Sequence, residues 1–117
     1  MAAPNIVNVS TIIGKTAVQA VGTSATAIVT NSAASNKVFK VNALYISNVD
    51  GVNNAEITVD LFRSSTAFRI ANTVSVPADS SLDVLSKAIY LEEGDSLRLT
   101  ANAAGDLEAV CSYEEIS

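Results

Sequence analysis

Ala55-Glu56-Ile57-Thr58-Val59-Asp60-Leu61 alternates apolar and polar residues without a break. Successive side chains of a strand point to opposite faces, so Ile57, Val59 and Leu61 share one side and Glu56, Thr58 and Asp60 the other. The same period of two recurs in Ser96–Ala101 and again from Leu107 to Glu114. Runs of this kind belong to an antiparallel sheet with one dry face and one wet face.

Outward from these runs, turn formers recur at short intervals. Ser24, residues 31–36, 50–54, Ser64–Ser65, 77–80, 92–95 and 102–106 are rich in Gly, Asn, Asp or Ser. These residues tolerate tight backbone geometry or hydrogen-bond to it locally. Between them the spacing predicts strands over 6–12, 15–21, 25–30, 37–48, 55–63, 66–74, 81–85, 88–91, 96–101 and 107–115. Residues 16–27 are rich in Ala, but their Val and Thr content and Gly22 favour strand over helix. The fold class is therefore all-β, an antiparallel β-sandwich of jelly-roll or Ig-like type.

The 117 residues suit one domain with a core large enough to need neither disulfide nor metal. Residues 1–13 are uncharged and end at Gly14. They read as an extended N-terminal arm that adds a strand to a neighbour, or as an ordinary first strand, with residues 14–117 forming the sandwich.

Composition removes several function classes. The net charge is −5 and the seven Lys and Arg are scattered, which sets nucleic acid aside as a partner. There is no His and a single Cys, Cys111, so His/Cys zinc sites and Ser-His-Asp or Cys-His catalysis are excluded within one chain. Cys111 alternates with Leu107, Ala109 and Tyr113 and reads as a buried thiol. The first residues lack a secretory signal pattern, and no apolar run is long enough to span a bilayer as a helix, so no membrane partner is expected.

Four short motifs invite a chemical reading. Ile13-Gly14-Lys15-Thr16 resembles the end of a phosphate-binding loop, but Val9 stands where the first Gly belongs, and the stretch reads as a turn between strands. Asn48-Val49-Asp50-Gly51 resembles part of a calcium loop, yet Ile46 and Ile57 occupy the positions of its outer acidic ligands, so it too reads as a turn. Asn8-Val9-Ser10 matches a glycosylation pattern with no secretory signal to use it. Glu92-Glu93-Gly94-Asp95 gathers three carboxylates around one Gly. An acid–base pair needs an apolar pocket that separates two carboxyl pKa values. A solvated hairpin tip with Gly in the left-handed position is the simpler reading. Neither catalytic residues, nor a cofactor, nor a metal site is expected.

The strand over 37–48 stands out because both its faces carry apolar side chains: Phe39, Val41 and Tyr45 on one, Leu44 and Ile46 on the other. Such an outer face needs cover from the N-terminal segment, from another subunit, or, for a central strand, from its own chain.

Four segments, Ile46–Gly51 (ISNVDG), Val76–Leu85 (VPADSSLDVL), Ile89–Leu97 (IYLEEGDSL) and Ser112–Ile116 (SYEEI), together resemble small virion structural proteins of tailed bacteriophages, marine and cyanobacterial ones above all. The likeness covers about the C-terminal two-thirds of the chain. It implies a non-enzymatic β-sandwich subunit of the virion, foremost a capsid decoration or cement protein assembled in the host bacterial cytoplasm. Its implied partners are the major capsid protein or other virion proteins and copies of itself, a trimer among the options. The interface is expected at Pro4, Asn5, Ile6, Val7, Val9 and Ile12 of the arm and at Leu44 and Ile46. A neck, tail or baseplate subunit is the nearest alternative, and a host-surface carbohydrate-binding module, reading sugars through Tyr45, Tyr90 or Tyr113, is the other.

Overall fold

In the computed structural model, which describes residues 4–5 and 8–117, alternation becomes strand wherever the sequence shows it. The strands are β1 (Ile12–Ala20), β2 (Thr26–Thr30), β3 (Val38–Asn48), β4 (Ala55–Arg63), β5 (Thr66–Val76), β6 (Ser81–Asp83), β7 (Ile89–Leu91), β8 (Ser96–Ala101) and β9 (Leu107–Ile116). One sheet runs β1-β9-β3-β6, with β7 also paired to β3; the other runs β2-β8-β4-β5. Every pairing is antiparallel.

This order decides between the two sandwich types. The pairs β4–β5, β3–β6/β7, β2–β8 and β1–β9 nest inside one another like the rungs of a single long hairpin. Successive rungs fall in alternate sheets, which is the jelly-roll arrangement. The strand opposite β3 is split into β6 and β7, so the nine strands among the described residues fill eight jelly-roll places.

The two inner faces meet in one core. Leu44, Ile46, Ile57, Leu91, Leu97, Leu99 and Leu107 are its largest fully buried side chains. Each contributes about 1.5–3 kcal/mol of transfer free energy. The alternation in β4 behaves as read: Ile57 and Val59 are buried and Leu61 packs on the same cluster.

Two expectations are corrected. Gly14 is not a turn: β1 runs straight through it, pairing residue by residue with β9 from Ile12↔Ile116 to Ala20↔Glu108. The segment 6–12 is therefore not a separate strand where it is described, since Asn8, Val9 and Ser10 lie outside β1. Second, Leu44 and Ile46 do not form an outer face. A register shift between Val41 and Ala43 inserts Asn42 as a β-bulge opposite β9. One extra residue flips the alternation, so Phe39, Val41, Leu44 and Ile46 all enter the core, while Lys40, Ala43 and Tyr45 lie on the other side.

The β4–β5 hairpin closes through Ser64 and Ser65, with φ of 52° and 60°. Two left-handed residues in a two-residue loop match the twist of the strands they join. The turn over 92–95 uses Gly94 at φ 91°, the left-handed position assigned to it from sequence.

Candidate functional site

The carboxylate cluster was the sequence's strongest chemical signal, and the structure gives each carboxylate a structural task. Asp95 is 1% exposed, not solvated as a hairpin tip would be. Its Oδ1 accepts from Arg63 Nε at 2.8 Å, and its Oδ2 accepts from Arg63 Nη2 at 2.6 Å and from the Glu92 amide at 2.8 Å. Burial pushes the Asp95 carboxyl up, but the Arg63 guanidinium and the Glu92 amide outweigh it and hold it below the usual carboxylate range. Glu92 Oε2 accepts from the same Arg63 Nη2 at 2.9 Å, and Glu93 Oε2 accepts from the Asn36 amide at 3.0 Å.

Asn31, fully buried beside them, donates from Nδ2 to the carbonyls of Lys37 and Leu91 and accepts from Ser35 Oγ. Its backbone exchanges bonds with Gly94 and Asp95. The cluster is thus a latch joining the end of β4, the β2–β3 loop and the β7–β8 turn.

The calcium-like stretch is also occupied by its own chain. Asp50 Oδ1 accepts from the amides of Val52 and Asn53, and the buried Asn48 donates to the carbonyls of Asn53 and Val76. Gly14, Lys15 and Thr16 are extended strand. Cys111 lies in the core, where burial pushes its thiol up to about 11. Among the described residues, no three His, Cys, Asp or Glu side chains group so as to hold a metal ion.

The two outer faces of the sandwich differ. That of the four-stranded sheet is ionic. Asp60, 2% exposed, stands in register between Arg98 and Arg69, and Arg69 Nη1 donates to Asp60 Oδ1. Arg98 lies over the Phe62 ring at 3.8 Å.

The outer face of the five-stranded sheet carries an exposed apolar row between small and charged residues. Register places Val18, Val110 and Tyr45 in one row across β1, β9 and β3, 73%, 40% and 47% exposed, with Asp83 of β6 opposite Tyr45 at the row's end. The next row is Thr16, Ser112 and Ala43, and the row after it Gly14, Glu114, Lys40 and Tyr90. A depression of about 360 Å³ lies at the first row's β1–β9 end, lined by Val18, Gln19, Ala20, Glu108, Ala109 and Val110. Glu108 is the one carboxylate in that lining.

The residues named for an interface scatter. Pro4 is half-buried, Asn5 exposed, Val9 half-buried and Ile12 57% exposed. Ile6 and Val7 lie outside the described residues. Leu44 and Ile46 are in the core. Sequence reasoning missed Val18 and Val110, whose signal was present: each is an apolar residue on the polar phase of its strand. Tyr45 and Tyr90 are exposed, while Tyr113 packs on the core with its ring centroid 5.6 Å from that of Phe39.

A scan of family models finds no match, and a search of curated proteins finds none. Solved structures do match. A chain described under "Bacillus endospore appendages form a novel family of disulfide-linked pili" is 16% identical, with TM-score 0.54, over 92% of this chain and 88% of that one. A pentameric capsid protein from metagenomic phage sequences is 19% identical, with TM-score 0.39, over 98% of this chain and 64% of that one. The nucleoplasmin-like N-terminal domain of Drosophila FKBP39 is 12% identical, with TM-score 0.44, over 87% and 85%. At 16% identity the likeness to the first of these is one of fold alone.

Proposed function

We propose that this chain is a non-enzymatic structural subunit of a phage virion, a decoration or cement protein that lies on the capsid shell. The carrying observation is the exposed apolar row Val18, Val110 and Tyr45 on the outer face of the five-stranded sheet. An apolar row beside Thr16, Ser112 and Ala43 can bury area against another protein, with Asp83 at the row's end and Glu108 in the adjoining row as its charged margin. The opposite outer face, with its Arg98–Asp60–Arg69 row, and the net acidic charge suit the side turned to water. Many such contacts, each weak, would hold a shell together through multivalency. The phage-like turn segments noted in the sequence supply the virion assignment. The pilus subunit of similar fold is itself part of a built assembly, as its description states.

The test is co-sedimentation with shells purified from a phage that encodes the chain but has been stripped of it. Wild type is expected to pellet with the shells, and the Tyr45→Lys, Val110→Lys double variant to stay in the supernatant while keeping its circular dichroism spectrum. Wild type that never pellets, or a variant that pellets as well as wild type, overturns the assignment of this face.

A further inference from the structure

An exposed strand edge is a template for another chain, and most proteins blunt theirs. Among the described residues, three of the four sheet edges are blunted. The strand β2 has only five residues and a register shift between Ala27 and Val29. Next to β3, β6 and β7 have three residues each. Along β5 the pairing with β4 shifts twice, and Thr73 sits at φ 48° inside it. The fourth edge, β1, keeps nine residues in unbroken register with β9 and carries one charge, Lys15, already paired to Glu115 at 2.9 Å. Every second residue of such a strand turns its N–H and C=O away from its neighbour.

We propose that β1 is a homotypic docking edge: it pairs antiparallel with β1 of a second copy about a two-fold axis at Thr16, joining two five-stranded sheets into one. The side chains of Ile12–Ala20 are complementary to themselves in that register. Val18 falls opposite Gly14 of the second copy, and a side chain added at Gly14 would find open space. The exposed Ile12 of one copy falls opposite Ala20 of the other, a wall of the 360 Å³ depression. Lys15 meets Ala17 rather than another Lys15. Thr16 meets Thr16, a pairing that favours antiparallel strands. The two outer faces then form one continuous surface, which deepens the reading of that face as the shell contact and rests on it.

The experiment uses the free protein, without shells, so its outcome is separate from that of co-sedimentation. Light scattering gives the native mass of wild type, of Val18→Lys, and of a chain lacking residues 2–9. Thr16→Cys and Thr66→Cys are oxidised in parallel, with Thr66 on the β5 edge as the control. Directly opposed residues of paired strands have the Cα spacing a disulfide needs. The expected result is a dimer for wild type and for the truncated chain, a folded monomer for Val18→Lys, and a disulfide-linked dimer from Thr16→Cys alone. A monomer or trimer for wild type, loss of the dimer on truncation, or cross-linking at Thr66 but not at Thr16 overturns the proposal.

Discussion

Arg63 grips Asp95 through two nitrogens, Nε on Oδ1 at 2.8 Å and Nη2 on Oδ2 at 2.6 Å, and the carboxylate they hold is buried. Removing the cation would leave a buried charge with only a backbone donor. Arg63→Ala is expected to lower stability by about 2 kcal/mol, near the cost of an unsatisfied buried polar group. The figure stays modest because the guanidinium is itself partly solvated. Urea unfolding of the single variants and of Arg63→Ala, Asp95→Asn should show strong non-additivity, the mark of a direct pair.

The same pair fixes an acid dependence. Asp95 titrates below its unfolded value, and so does Glu115, drawn down by its hydrogen bond to Lys15 and then by Lys37. A depressed carboxyl contributes stability that is complete above the unfolded value, about 3.9–4.3, and is lost as pH falls through the lower folded value. Urea midpoints are expected to be flat from neutrality down to that range and to drop below it. Asp95→Asn should start lower and fall less steeply. A midpoint that rises on acidification would contradict the pairing.

Ser64 and Ser65 are both left-handed, at a cost of roughly 1–2 kcal/mol per ordinary L-residue. Replacing them with Asn and Gly, the pair that suits this turn, is expected to raise stability by about 1 kcal/mol without moving the strands. Thermal unfolding would register the gain. No gain would mean the loop is not the two-residue turn described.

Cys111 packs in the core with a thiol pushed up to about 11. It is expected to resist aromatic disulfide reagents at neutral pH in the native protein and to react fully in denaturant, since burial and a scarce thiolate both slow attack. Fast labelling of native protein would place it at a surface.

Much of this architecture was legible because alternation is a local signal. Residues 55–61, 96–101 and 107–114 showed their buried faces directly, and the core contains those faces. What escaped were features set by distant partners or by one extra residue. Asn42 is an ordinary polar residue, and nothing near it in sequence says that it bulges, yet it decides whether Leu44 and Ile46 face the core or the solvent. Asp95 looked like a solvated tip because its partner Arg63 is 32 residues away. Asp60 looked like the wet side of β4, but Arg69, on the next strand, pairs with it and it is buried. The outer apolar row needed registers across β1, β9 and β3, which no single segment reveals.

A building part of a virion must be present in purified particles and countable there. Quantitative peptide mass spectrometry of virions from a phage encoding the chain should find it in many copies, in fixed ratio to the major shell protein. Absence from the particle, with the protein free in the lysate, would mean that the chain is no part of the virion.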